Sequence, residues 1–585
     1  MRLAFRFASL GAAAALLIYG FLQPIDDDTR WIASLWLAAL FLLVAGRLSL
    51  PLRPAGIVRN IQNLALLMAV GFVVLTVQLL HHQFVRAGDL AGAVFVDQQT
   101  GQTTSNVRKV IAALKVRRGQ ILDRSGIPIV ETEVVDGGYA VRRYPLAGVF
   151  DPTAFGHVVG FFSSRFGQSG IESAYGDYLS GERDSLRRIQ DALLDRPRVG
   201  DSVRLSLDVN LQAAALGALG ERTGSIVVLD PRSGAVLAMV SRPGFDPRGL
   251  AYNPAAPDRV AENRRIDEYW RAINADGAGQ PLLNRATQGR YPPGSTFKTV
   301  TAVAALLHPE QARPDSIDCP DERPTEAGAP PVVNAVRVGL EGMIRSLPVP
   351  GVPDLERVYA FSCNTAFAEY AMRLGPDRMV ETARLFDIYR PQDAPNVYPG
   401  FTDLPALPSL LYVDPGFLNS RAALADTGYG QGQLQVTPLQ MAMVAATIAN
   451  DGMMMQPSLV EEIMRPDGTV VVRHQPRPIR RVMPPEIARR MRANMRAGVA
   501  YGFGKAADAV DGVAVGGKSG TAEYSCPTID DAGRLCAHAW FIAIAPVEQP
   551  RFAVAVMIEN GGEGSRIGAA VAGQVLRAAF ATIGE

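Results

Sequence analysis

The chain has 585 residues, room for two or three domains with separate cores, and its 58 basic and 57 acidic side chains leave a net charge of +1. That balance implies no basic face for nucleic acid, and six histidines and four cysteines without HExxH or CxxC spacing argue against a metal centre. Only five of the basic residues are lysine (Lys109, Lys115, Lys298, Lys505 and Lys518); the rest are arginine, which does not give up its proton, so each lysine is a candidate for proton chemistry.

Three apolar stretches open the chain, at roughly 7 to 23, 31 to 50 and 61 to 80. Ile61 to Leu80 is uncharged over the ~20 residues that cross a hydrocarbon core and reads as a spanning helix. The first stretch, after Arg2 and Arg6, fits either a crossing or a secretory signal, although no small-x-small cleavage site follows Leu22. Arg2 and Arg6 precede stretch one, Asp26, Asp27, Asp28 and Arg30 follow it, and Arg47, Arg53 and Arg59 separate stretches two and three. Arginine-rich ends stay in the cytoplasm, so three crossings deliver everything after His81 to the external face, as a cleaved signal or a single span would too.

In the exported part, Ile121, Leu122, Ile127, Ile129 and Val130 flank Asp123-Arg124-Ser125-Gly126, which predicts a short hairpin. A boundary is expected at Arg196 to Gly200, before a helix starting near Asp208. Ser225 to Ser241 predicts an antiparallel hairpin around Pro231-Arg232-Ser233-Gly234, apolar enough to be covered on both faces. Thr437-Pro438-Leu439-Gln440 supplies an N-cap threonine, a first-turn proline and a capping-box glutamine, and Asp451-Gly452 a stop. Three strand-like runs follow, within Val513 to Tyr524, Cys536 to Pro546 and Arg551 to Asn560. A sheet made of the early hairpin and these late strands, with helices between, gives an α/β (α+β) fold around an antiparallel sheet.

The chemistry centres on Ser295-Thr296-Phe297-Lys298. It follows the Pro293-Gly294 break and leads into the apolar run Val300 to Leu307, so serine and lysine lie one helical turn apart. A hydroxyl becomes a nucleophile when a base takes its proton, and a desolvated lysine near another cation is such a base. One SxxK is weak, since roughly one or two arise by chance in a chain this long. Lys518-Ser519-Gly520-Thr521, on a glycine-rich strand, and Ser362-Cys363-Asn364 between the two sharpen the case.

Taken in order, SxxK, SxN and KSG resemble the penicillin-recognising serine acyltransferases. Arg118 to Arg124, Tyr144-Pro145, His157 to Gly160 and Gly170-Ile171-Glu172 look like the pedestal or dimerisation module of class B penicillin-binding proteins. Ala286 to Ser295, Gly430-Gln431-Gly432 and Thr437 to Gln440 look like their transpeptidase domain. The resemblance implies a membrane anchor over residues 1–84, a pedestal over 85–198 and a transpeptidase over 199–585. The implied activity is serine D,D-transpeptidation, without a cofactor, of peptidoglycan stem pentapeptides ending in D-Ala-D-Ala, with β-lactams as inhibitors.

Carried over by position, Ser295 is the nucleophile, Lys298 its base, Ser362 a proton relay and Asn364 a holder of the substrate amide. Lys518 supplies field, Ser519, Gly520 and Thr521 receive the substrate, and the amides of Ser295 and Thr521 form the oxyanion hole. Residues 85–195 are too few for a glycosyltransferase, which implies a separate polymerase of the SEDS family as partner beside membrane lipid. A β-lactam sensor or β-lactamase, and a scaffold that activates a polymerase, are the alternatives. His538 reads as structural and Arg290 as an ion-pair partner. Cys526 and Cys536 are placed either to pair or to stay free, while Cys319 and Cys363 read as unpaired.

Overall fold

The computed structural model describes residues 2–21, 28–50, 56–81, 94–96, 103–105, 113–183, 193–194, 196–334, 337–339, 342–344, 349–524 and 536–584. The chain divides into two units, 1–113 and 114–585. In the first, the apolar stretches form α1 (Arg2–Phe21), α2 (Asp28–Ser49) and α3 (Gly56–Leu80), each long and apolar enough to cross a membrane. Helices α1 and α3 extend past the apolar run to take in Arg2, Arg6 and Arg59, because backbone bonding continues where hydropathy stops and arginine heads can reach the interface. Leu67 and Phe72 of α3 are among its many exposed apolar side chains and Val70 is buried, a surface suited to lipid or another membrane protein. Trp31 stacks on His81 at 3.8 Å and donates Nε1–H to Gln78 Oε1 at 2.9 Å, while Phe21 meets Trp31 edge-on. The end of α1, the start of α2 and the end of α3 thus share one end of the bundle, as three alternating crossings require.

The second unit opens with β1 (Ile121–Leu122), β2 (Pro128–Val135), β3 (Tyr139–Arg143) and β4 (Ser202–Leu205). Asp123 Oδ1 accepts the Ser125 and Ile127 amides, both at 2.8 Å, closing the predicted turn with Ile121 opposite Val130. The second strand is longer than the sequence suggests, because β3 pairs along its outer half. Next come β5 (Gly224–Leu229) and β6 (Val236–Arg242), the predicted hairpin, with Leu229 opposite Val236.

Strands β7 (Val460–Met464) and β8 (Val470–Arg473) return to the first sheet and give it the order β8-β7-β4-β1-β2-β3. Arg196 to Gly200, where a boundary is expected, immediately precede β4, which pairs with β1 on one side and β7 on the other. Asp403 reinforces this junction: its carboxylate accepts the Tyr175 hydroxyl at 2.5 Å and the Leu459 amide at 2.6 Å. The late strands β9 (Gly516–Tyr524), β10 (Cys536–Ala545) and β11 (Phe552–Ile558) complete an antiparallel sheet ordered β6-β5-β11-β10-β9.

Helices α4 (Val209–Leu219) and α10 (Ala569–Thr582) pack together on one face of this sheet, and α8 (Pro438–Ala449) covers the other. That is why β5 and β11 are buried along their whole length and read as unbroken apolar runs. Thr437 Oγ1 caps α8 by accepting the Gln440 amide at 3.2 Å. The other half of the capping box is missing, since Gln440 Nε2 donates to the buried Phe386 carbonyl instead. Between the early and late strands lie α5 (Lys298–Leu307), α6 (Asn364–Leu385), α7 (Arg421–Gly428) and α9 (Pro485–Ala500). β9 closes the sheet at its edge, with α9 alongside.

Candidate active site

Ser295 occupies a single 3-10 turn, Gly294–Phe297, that runs into α5. Gly294 has φ +55°, and a Cβ there would stand 2.5 Å from the Thr521 carbonyl oxygen. Gly430 has φ +94°, and a Cβ there would meet the Gly294 carbonyl oxygen at 1.8 Å. Only glycine lets these backbones touch, and their contact seats the serine turn against β9.

Lys298, one turn on, is completely buried. Its Nζ donates to the Ser362 carbonyl at 2.7 Å, Ser362 Oγ at 3.0 Å and Asn364 Oδ1 at 2.6 Å. Lys518 reaches the same hydroxyl from β9: its Nζ lies 2.9 Å from Ser362 Oγ and donates to the Ser519 carbonyl at 3.0 Å. Ser362 Oγ therefore bridges two lysine nitrogens. The backbone of Ser362 is left-handed, φ +56°, a conformation that costs a non-glycine residue about 1–3 kcal/mol and persists only where its surroundings hold it. Asn364 begins α6, and its Nδ2 donates to the Val333 carbonyl at 3.0 Å.

The electrostatics favour a neutral Lys298 beside a Lys518 that can still carry charge. Burial pushes the Lys298 ammonium well below its ordinary range, and the charge of Lys518 adds to the effect. Burial alone brings Lys518 down to about 7. The ring of Phe367 lies 5.6 Å from Lys298 Nζ and that of Tyr359 lies 5.7 Å from Lys518 Nζ, so aromatic walls enclose both amines. Ser295 stays partly exposed, as does Thr521, whose Oγ1 accepts the Gly564 amide at 3.3 Å. Because β9 is an edge strand, its outer backbone groups are available to an extended ligand.

All eight predicted site residues, Ser295, Lys298, Ser362, Asn364, Lys518, Ser519, Gly520 and Thr521, come together here from four elements. Other expectations are corrected. Cys319 and Cys363 are not unpaired but form a disulfide, with Cα atoms 6.2 Å apart. Four cysteines allow three pairings, and the nearness of Cys526 to Cys536 in sequence drew attention from this one. Cys536 is itself disulfide-bonded, whereas Cys526 lies outside the described residues. Arg290 is exposed, and the ion pair at this place belongs to Arg285, whose Nε meets Glu559 at 2.8 Å. His538 stacks on Tyr524 at 4.5 Å and meets Tyr291 edge-on, which fits its structural reading.

Residues 224–580 match the penicillin binding protein transpeptidase domain, and residues 118–203 match the penicillin binding protein A dimerisation domain. The peptidoglycan D,D-transpeptidase PbpA of Mycolicibacterium smegmatis is 34% identical over 524 residues, 88% of this chain and 97% of that protein. The MrdA peptidoglycan D,D-transpeptidase of Haemophilus influenzae is 30% identical over 71% of this chain and 63% of its own length. Among solved structures, penicillin-binding protein A from M. tuberculosis, as its ceftriaxone acyl-enzyme complex, superposes with a TM-score of 0.67 at 31% identity. That match covers 80% of this chain and all of the other. Fold and site together define a serine acyltransferase of the penicillin-recognising type. The chain belongs to the class B penicillin-binding proteins, with a transpeptidase domain behind a dimerisation module.

Proposed function

We propose that this protein cross-links peptidoglycan stem peptides as a D,D-transpeptidase, through an acyl-enzyme on Ser295. The observation that carries the assignment is Ser362 Oγ, held between two buried lysine nitrogens, one of which lies a turn from Ser295. Neutral Lys298 takes the Ser295 proton as Oγ attacks the carbonyl of the penultimate D-alanine. The backbone N–H groups of Ser295 and Thr521 receive the developing oxyanion, a role supported by the close approach of Gly294 to the Thr521 carbonyl. Collapse expels the terminal D-alanine, its amine protonated through Ser362 by the lysine pair. An acceptor amine then attacks the ester, returns its proton along the same route and frees Ser295.

Ser519 and Thr521 bind the terminal carboxylate, and Lys518 adds positive field while reprotonating the relay. Gly520 lets the serine turn lie against β9 beside the donor peptide, since a Cβ there would stand 2.8 Å from the Pro293 carbonyl oxygen. Asn364 keeps one Nδ2–H for the substrate amide, the other being given to Val333. Penicillin-binding protein A from M. tuberculosis forms acyl-enzymes with ceftriaxone, imipenem and penicillin G, which supports the same first step here. In the test, benzylpenicillin should leave a covalent adduct that peptide mass spectrometry places on Ser295, and Ser295→Ala should lose it with an unchanged melting temperature. An adduct on another residue would sink the assignment.

The working arrangement is an anchor over 1–84, a pedestal over 85–198 and a catalytic domain over 199–585, with everything after His81 on the external side. The arginine distribution supports that side. A reporter active only outside should be active when fused near Asp27, inactive near Pro54 and active after Gly88. Activity near Pro54 would refute the three crossings. A SEDS-family glycosyltransferase is the proposed partner beside membrane lipid, motivated by the outward apolar surface of α3. Replacing residues 1–84 by an unrelated single span should abolish stimulation of that polymerase in one bilayer, and undiminished stimulation would remove the membrane contact.

A further inference from the structure

We propose that the Cys319–Cys363 disulfide and Asn334 form a positioning device for the Ser362-Cys363-Asn364 turn, acting on the rate of acylation rather than on ligand affinity. Cys363 is the central residue of that turn. While Ser362 and Asn364 send their side chains to Lys298, Cys363 bonds to Cys319 on a segment 44 residues earlier.

That segment grips the turn at successive residues. Asn364 Nδ2 donates to the Val333 carbonyl at 3.0 Å, and the Thr365 amide donates to Asn334 Oδ1 at 3.2 Å. Thr365 Oγ1 donates to the Pro320 carbonyl at 2.8 Å, and Arg323 Nε donates to the Thr365 carbonyl at 2.9 Å. Buried Asn334 ties the two ends of the segment together by donating Nδ2–H to the Pro320 carbonyl at 2.9 Å. Farther out, Val332 packs against Ala368 and Met372 of α6, and Glu326 accepts the Ser420 hydroxyl and the Arg421 amide at the start of α7.

The turn needs such a hold because Ser362 sits at φ +56° and supplies two of the three acceptors of Lys298 Nζ. Relaxing Ser362 toward an ordinary conformation swings both its carbonyl and its hydroxyl, so the base and the relay lose register together. The carboxylate-binding Ser519 and Thr521 stand on β9, which this segment does not hold, so the carboxylate contacts stay in place and only the Asn364 contact to the substrate amide moves with the turn.

The inference rests on Ser295 being the acylated residue, and the experiment separates the two. In the full-length protein carrying Cys526→Ser and Cys536→Ser, only the Cys319–Cys363 bridge can respond to reductant. Dithiothreitol supplies two electrons and two protons, giving two thiols and its own cyclic disulfide; it enters through partly exposed Cys319, since Cys363 is buried.

Stopped-flow acylation by a fluorescent penicillin resolves the rate constant k2 from the binding constant Ks. On reduction k2 should fall about tenfold to hundredfold, with Ks within about threefold, and reoxidation should restore it. Cys319→Ser/Cys363→Ser should match the reduced protein and ignore dithiothreitol, and Asn334→Ala in the oxidised protein should lower k2 in the same direction. If the double variant does not fold, reversible reduction of the folded protein supplies the measurement. A k2 within twofold of the oxidised value, or a fall in melting temperature alone, would reduce the bridge to a staple. Absence of any adduct on Ser295 would instead overturn the functional reading.

Discussion

Two buried clusters of basic side chains sit in the second unit of this protein and do opposite things. In the pedestal, Arg118 and Arg142 converge on Glu172, which is fully buried, at 2.8 and 2.5 Å. Arg142 also donates Nη1–H to the Gly119 carbonyl at 2.8 Å and Thr132 Oγ1 at 2.9 Å. In the candidate active site, Lys298 and Lys518 converge on a hydroxyl, and among the described residues no carboxylate offsets the effect of burial on either. Burial lowers the Arg118 guanidinium as well, but Glu172 opposes it, and arginine starts so high that it remains charged. Burial with a carboxylate partner makes a fixed cation that holds β1, β3 and the Glu172 region together. Burial without one makes an amine that can be neutral when a serine needs a base.

The sharpest way to break this contrast is to give the active site the pedestal's residue. Lys298→Arg keeps a cation beside Ser362 and removes the base, so acylation by penicillin should fall by ~10²- to 10⁴-fold. Measured k2 within a few-fold of wild type would mean that another group takes the proton.

The converse change is Glu172→Gln, which keeps shape and strips the counter-ion. It leaves two buried guanidinium groups uncompensated and should cost about 3–5 kcal/mol in denaturant unfolding, with acylation per folded molecule nearly unchanged. Loss of acylation without loss of stability would show that the pedestal cluster acts on the chemistry.

The smallest effect concerns pH. Folded Lys518 releases its proton near 7, whereas an unfolded lysine keeps it to about 10.4. Between those values the unfolded chain binds more protons, so stability rises with pH, by at most ~1.4 kcal/mol per unit from this residue. The same group therefore destabilises the fold as pH falls toward 7. Lys518→Met should remove that part of the slope between pH 7.5 and about 9.5, below the range in which tyrosines titrate. An unchanged slope would mean that Lys518 keeps its proton in the folded state.

Much of this was legible in the sequence because local patterns report local physics. The uncharged run of Ile61 to Leu80, the apolar hairpin around Pro231 to Gly234, the threonine cap at Thr437 and the motifs SxxK, SxN and KSG each depend on neighbours a few residues away. Lysine scarcity made five lysines candidates, and the SxxK and KSG motifs narrowed them to Lys298 and Lys518. Other features required the folded chain. Four cysteines permit three pairings, and only the packing of residues 319–334 against the start of α6 selects Cys319 with Cys363. Which arginine pairs with Glu559 is decided by the turn over residues 285–288, which presents Arg285 to that carboxylate and leaves Arg290 exposed. The union of pedestal and catalytic strands in one sheet depends on β7 returning 258 residues later to lie beside β4, with Glu462 opposite Arg204. The two lysine pKa shifts belong to the same class, since the sequence supplies the amines and only tertiary burial removes the water that would keep them charged.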